Sequence, residues 1–247
     1  MKKLIVFMFM LSGLSVYSQV NTEILRKEFT RDTLLNSISL QYSSAEGNSD
    51  FINMAAGVRS DWFFDDFYTF LSAQIEYKEA DELKSLNNGF IHLRSSYEVN
   101  HYFSPELFFQ KEYNEFIDLK DRDLLGGGMR FSLADSAGII HLSLGVGAMY
   151  EREVIEGAGT TELMKSTNYL SVTYKPISAL KLIGITYYQV KFDELQNYRF
   201  LSDIKIEIDI TNSLKLFTSI NYRYSNLLLT DIYKYDVSVN NGLKIVF

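Results

Sequence analysis

Apolar and polar residues alternate along this chain with a period of two. In "FLSDIKIEIDI", Phe200 to Ile210, the isoleucines Ile204, Ile206, Ile208 and Ile210 interleave with Asp203, Lys205, Glu207 and Asp209. Successive side chains of a strand point to opposite faces, so a period of two predicts a strand. One face of this strand is wholly aliphatic and the other wholly charged. "YDVSVNNGLKIVF" repeats the pattern. Tyr235, Val237, Val239, Leu243, Ile245 and Phe247 share one face, with Asn241 as the exception. Asp236, Ser238, Asn240 and Lys244 share the other. "IIHLSLGVGAMYE", "FIHLRSSYEV" and "LKLFTSINYRY" behave alike. About twelve such segments are predicted, near 34–42, 51–60, 67–78, 89–99, 105–114, 122–133, 139–151, 167–176, 180–192, 199–210, 214–225 and 234–247.

Two architectures could use this pattern. A soluble sandwich or lipocalin-like barrel turns the apolar faces inward. A membrane barrel turns them outward and fills its lumen with the polar faces. The segments run about 9–14 residues, at or above the roughly 9–11 of a tilted transmembrane strand. Aromatic residues stand near segment ends, where interfacial girdles need them: Phe63, Phe64, Phe67, Tyr102, Phe103, Tyr150, Phe192, Tyr198, Tyr222, Tyr224 and Tyr235. The connections also alternate. "ISA", "TNS" and "ADSAG" are short, whereas "EREVIEGAGTTELMKS", "EADELKSLNN" and "DLKDRD" are longer and charged. The predicted fold is all-β: a closed antiparallel transmembrane β-barrel of about 12 strands, with short periplasmic turns and longer outer loops. Closure is required because an unpaired backbone group in hydrocarbon costs several kcal/mol. An even strand count puts both termini in the periplasm.

The first residues, "MKKLIVFMFMLSGLSVYSQ", carry Lys2 and Lys3, then an apolar run too short to span a bilayer, then small residues. Residues 1–18 read as a signal peptide. Residues 19–33 read as a periplasmic lead-in and 34–247 as the barrel. The chain has no cysteine, which excludes a lipoprotein anchor and a disulfide framework. The 17 tyrosines, 18 phenylalanines and only two prolines suit a large β domain. A net charge of −7 argues against nucleic acid as a partner. The expected location is the bacterial outer membrane. The expected partners are its lipid and lipopolysaccharide, and the assembly machinery, which reads a terminal aromatic such as Phe247. A monomer is expected.

Several stretches carry a family resemblance. "AEGNSD" follows the first strand, "NNGFIHLRSSYEVN" precedes "SPELFFQKEYNEF", and "RDLLGGGMRFSL" precedes "LSLGVGAMYERE". In this order they resemble the bacterial outer-membrane barrels of unknown function that include the salt-induced outer-membrane proteins. The resemblance spans roughly Leu34 to Phe247. It implies an outer-membrane barrel and no established activity.

Little in the chain predicts chemistry. His92 shares its strand face with Arg94 and Glu98, and His141 shares its face with Ser143 and Glu151. A Ser/His/acid site would need a nucleophile elbow, and none is present. The three histidines are far apart, with no ligand spacing for a metal. No catalytic residue, metal or cofactor is expected. Gly126, Gly128, Gly145 and Gly147 fall on the lumen side, where they let strands curve or make room for side chains from the opposite wall.

Parity assigns the lumen-facing charges as Arg59, His92, Arg94, Arg130, His141, Glu151, Lys175, Lys181, Asp203, Lys205, Glu207, Asp209, Lys215, Arg223 and Lys244. Near the periplasmic mouth Arg59, Arg130, Lys175, Lys181, Lys215 and Lys244 face Glu98, Glu106 and Asp209. The turn "TNS" sets Asp209 across from Lys215, and Lys181 is expected on the other side of Asp209. An excess of positive charge at a mouth favours anions. The competing expectation is that these lysines reach headgroups or cap a closed plug. The chain is expected to be a narrow or gated passive channel or a structural barrel. The alternatives are a lipid-modifying enzyme and a surface-interaction protein.

Overall fold

The computed structural model describes residues 33–45, 51–80, 84–115, 118–136, 138–226 and 235–247. The expected signal peptide and the lead-in up to residue 32 lie outside the described residues. Twelve strands follow in order: β1 (Leu34–Ala45), β2 (Phe51–Phe64), β3 (Phe67–Ala80), β4 (Lys84–Tyr97), β5 (Phe103–Asn114), β6 (Leu119–Ser136), β7 (Ile140–Ile155), β8 (Gly159–Ile177), β9 (Leu180–Lys191), β10 (Glu194–Asp209), β11 (Leu214–Ser225) and β12 (Tyr235–Val246). Each pairs antiparallel with its neighbours in the chain, and β1 pairs with β12 to close the barrel. Asn36 and Phe247 exchange backbone hydrogen bonds at 2.9 and 3.0 Å. The closing seam thus begins at the end that holds the start of β1 and the end of β12, called here the terminal end.

The alternating pattern sets the two faces. Ile204, Ile206, Ile208 and Ile210 point outward, while Asp203, Lys205 and Glu207 are buried inside. The outward face is mainly apolar, and its exposed side chains include Ile38, Val58, Ile75, Leu93, Leu107, Leu125, Val146, Leu170, Ile220 and Leu243. Aromatic rows lie on this face near both ends. Phe67 packs on Tyr97 at 4.8 Å and Phe103 on Phe131 at 5.6 Å at the terminal end. Tyr188, Tyr198 and Tyr224 form a row at the far end, with centroids 5.8 and 5.9 Å apart. Phe63 departs from the expected girdle. It faces inward with no exposure and stacks on Tyr68 at 4.6 Å.

The expected long connections at the far end are largely strand. β7 and β8 stay paired out to Ile155 and Gly159, leaving a turn at Glu156–Ala158. "DLKDRD" is mostly the start of β6, paired with β5 and β7. The charged residues there mark where side chains leave the apolar band, but the backbone groups still find ladder partners. Gly157 and Gly159 take positive φ values of 78° and 88° to make the tight β7–β8 turn.

Candidate functional site in the barrel lumen

Lumen-facing side chains follow from register and parity, and most of those on β4 to β10 are buried. They form three linked groups along the barrel axis.

The first lies on β2 and β3 toward the terminal end. Arg59 Nε donates to both Asp61 carboxylate oxygens at 2.9 and 3.0 Å. Its Nη2 donates to the Tyr68 hydroxyl at 2.8 Å, and that hydroxyl donates to Asp61 Oδ1 at 2.8 Å. The guanidinium also lies 3.9 Å from the Phe70 ring centroid. Phe63, Tyr68 and Phe70 wall in this group with Leu35.

The second occupies the middle. His92 Nδ1 and Gln110 Oε1 are 3.0 Å apart, and the imidazole stacks between Phe70 and Phe108. Arg94 donates to Glu106 at 3.4 Å, and the Tyr169 hydroxyl donates to the same Glu106 oxygen at 2.9 Å. Arg130 donates to the Tyr169 hydroxyl at 3.2 Å. Tyr169 and Glu106 come from β8 and β5, three strands apart, so this bond is a chord through the lumen.

The third runs toward the far end and is wholly ionic. Arg122 pairs with Glu112 and donates to Glu153 at 2.7 Å. Arg199 donates to Glu153 at 2.9 Å and to both oxygens of Glu151 at 3.0 Å. Lys165 donates to Glu151 at 2.7 Å. Three cations and three carboxylates thus alternate across β5, β6, β7, β8 and β10. Glu151 and Lys165 are 0% and 1% exposed as side chains, so water does not reach them. Isolated ions so deeply desolvated would be costly, and mutual pairing is what allows them here. The Arg199 bonds join β10 to β7 and form a second chord.

At the terminal mouth Lys215 donates to Asp209 and Lys244 donates to Glu207 at 3.0 Å. Lys205 lies over Phe217 at 4.4 Å and 3.2 Å from Glu207, and further along the lumen, toward the far end of β11, Arg223 pairs with Asp203. Register sets Lys181 opposite Glu207, two residues from the expected Asp209, because the β9–β10 ladder runs in phase to Leu180–Ile208. Asp61 and Glu207, not set against the basic mouth in the sequence reading, pair with Arg59 and Lys244. The mouth is therefore closer to neutral than expected, with less basis for an anion preference. His141 is half-buried and sits opposite Thr173, two residues from Lys175. Glu151 lies ten residues further along β7, about 33 Å at the usual strand rise. His141 and Glu151 therefore share no site. Among the described residues no group of three or more His, Cys, Asp or Glu is placed to hold a metal ion.

The glycines admit neighbours rather than side chains from the opposite wall. The ring of Phe108 lies over Gly126, and that of Tyr169 over Gly145, its register partner on the adjacent strand. A Cβ at Gly145 would fall 2.0 Å from Tyr169 Cε1. Gly128 and Gly147 bring β6 and β7 backbone to backbone, where a Cβ would meet Val146 O or Gly127 O at 2.5 Å. A small cavity of about 20 Å³ remains beside them, lined by Arg94, Glu106, Phe108, Thr167 and Tyr169 among others.

Five members of the ionic chain were missed from sequence: Glu112, Arg122, Glu153, Lys165 and Arg199. Parity alone would have found Glu112, Arg122 and Arg199, which lie inside the expected segments 105–114, 122–133 and 199–210, and parity continued past the expected ends would have found the other two. Glu153 is two residues beyond Glu151, and Lys165 is two before Thr167.

The family model for a protein of unknown function, DUF481, matches residues 38–247. The chain belongs to this family. No curated protein matches it. Among solved structures, the DUF481 chain is similar to the COG4313 outer membrane channel from Pseudomonas putida F1, with 9% identity and a TM-score of 0.56. That likeness covers 89% of this chain and 97% of the other. It is similar to the NanC porin, with 8% identity and a TM-score of 0.50, over 86% and 97% of the two chains. It is also similar to the translocator domain of the autotransporter NalP from Neisseria meningitidis, with 9% identity and a TM-score of 0.50, over 86% and 87%. At these identities the likeness is one of fold, and the fold is that of porins and other outer-membrane barrels.

Proposed function

We propose that this chain is a passive barrel of the bacterial outer membrane, shut at rest by its own ion-pair network and opening only to a narrow conductance. The observation that carries this reading is the Arg199 chord, which ties β10 to two carboxylates on β7. Eight strands are filled by side chains and 16–18 leave a channel, so a 12-strand lumen could do either. Here charged side chains that would line an open pore are sealed from water. A constitutive pore would leave them wet. The two aromatic rows and the apolar band support a membrane position. In this reading both termini are periplasmic, the ionic chain lies toward the cell exterior, lipid and lipopolysaccharide surround the wall, and the assembly machinery reads Phe247. The barrel works as a monomer. Swelling of liposomes containing the refolded protein tests the reading. Slow entry of a small sugar is expected, and the fast entry typical of a wide pore would overturn it.

A further inference from the structure

The wall is not sealed equally all the way round. β12 pairs with β11 from Leu214–Ile245 to Tyr224–Tyr235. β1 pairs with β2 from Leu34–Trp62 to Ala45–Phe51. The seam between β1 and β12 pairs only from Ser37–Val246 to Gln41–Gly242. Among the described residues, Tyr42–Ala45 of β1 and Ser238–Asn241 of β12, which would continue that register, therefore have a ladder partner on one side only. Both stretches lie away from the terminal end. Val237 and Val239 keep this part of β12 in the apolar band. Barrels close because unpaired backbone in hydrocarbon is costly, so a half-open seam asks for something polar beside it.

The lumen wall behind the seam differs from the rest. Six lumen-facing positions there carry neutral polar side chains: Ser219 and Asn221 on β11, Ser238 and Asn240 on β12, and Ser39 and Gln41 on β1, while the register pair Arg223 and Asp236, with Arg223 held by Asp203, marks the charged far end of the same wall. All six are uncharged and keep part of their surface accessible, whereas the charged positions on β4 to β8 named above are mostly sealed. Polarity also reaches the outer face where pairing stops. Asn241 points outward and accepts a hydrogen bond from Thr218 at 2.8 Å. Gly242 marks the fork. A Cβ there would meet Phe217 at 2.6 Å and Leu40 O at 2.7 Å, so only glycine lets β12 close onto β1 up to this point.

We infer that the outer half of the β1–β12 seam is a lateral portal for an amphiphile with a neutral, hydroxyl- or amide-rich head group. The head enters the Ser/Asn/Gln track and the alkyl chain stays in the outer leaflet. Hydroxyls and carboxamides both donate and accept, so the track suits such a head without a counter-charge. The inference rests on the outer-membrane reading above.

Tryptophan quenching tests it in nanodiscs carrying a brominated alkyl maltoside. The single native tryptophan, Trp62, is replaced by Phe, and a sole reporter is placed by Asn240→Trp, Ser143→Trp or Ile206→Trp. Quenching is expected at the Asn240→Trp and Ile206→Trp reporters and not at Ser143→Trp, which sits in the fully paired wall. The chain has no native cysteine, so Tyr42→Cys with Asn241→Cys can lock the seam when oxidised. Locking should abolish quenching at Asn240→Trp alone. If Ile206→Trp is quenched and Asn240→Trp is not, the portal fails and the membrane reading stands. If Ile206→Trp is unquenched, the membrane reading itself fails. Equal quenching at Ser143→Trp overturns the portal, and equal quenching of Asn240→Trp by an anionic brominated lipid overturns the neutral-head assignment. On the unaltered chain, faster amide exchange is expected over Tyr42–Ala45 than over Ile38–Leu40, and equal protection would contradict the open seam.

Discussion

Arg199 on β10 donates to both carboxylate oxygens of Glu151 on β7, at 3.0 Å each, across two intervening strands. The same guanidinium holds Glu153 at 2.9 Å. One side chain therefore spans the lumen and braces the barrel internally, and in the proposed reading stability and closure share this cause.

Replacing Arg199 with Met should destabilise the barrel by about 3–5 kcal/mol, because Glu151 and Glu153 stay buried with too few partners. Adding Glu153→Gln restores the charge balance and should recover part of that loss. Urea unfolding from lipid vesicles measures both. Equal stability of the Arg199→Met variant and the native chain would show that the ionic chain does not hold the fold.

Ile206 points outward with 38% of its surface exposed. Replacing it with Arg should cost about 2–4 kcal/mol if it sits near the bilayer midplane. The same change at Lys205, which faces the lumen, leaves lipid untouched and should cost less. Reversal of that order in vesicle unfolding would contradict the assignment of faces.

Gly145→Ala should displace the Tyr169 ring and break its hydrogen bond to Glu106, at a cost of about 1–3 kcal/mol for the overpacking. In a Tyr169→Ala background the same change has nothing to displace and should be nearly neutral. A double-mutant cycle on unfolding free energies reads the coupling, and additive effects would refute the ring-on-glycine contact as its source.

The alternating pattern made most of the fold legible, because a barrel in lipid sorts every strand position by one rule. The isoleucines of β10 and the Asp209–Lys215 pair across "TNS" follow directly from period and turn length. The ionic chain was not legible for a physical reason. Glu153 and Lys165 lie where strands run past their expected ends, and a charged stretch such as "DLKDRD", which holds Arg122, looks the same whether it loops or stays paired. Phe63 misled because an aromatic at a strand end suits a girdle or a lumen stack equally, and only parity with Arg59 and Asp61 decides. Partners such as Arg199 with Glu151, 48 residues apart, depend on the inward reach of side chains from non-adjacent strands, which no local pattern encodes.

Phe247 exchanges two backbone bonds with Asn36 at the closing seam and exposes its ring outward. Deleting it should lower the yield of folded barrel in the outer membrane while removing no lumen-facing side chain. Fractionation and heat-modifiable gel mobility report this. Normal yield of the truncated chain would remove Phe247 from any role in assembly.

Single-channel recording in planar bilayers tests the central claim, that the lumen is shut by its own ion pairs. The native chain should hold a closed baseline with brief, small openings. The Arg199→Met and Glu153→Gln double variant should open more often and for longer at unchanged net charge. A steady large conductance from the native chain, or identical traces from the two proteins, would contradict it.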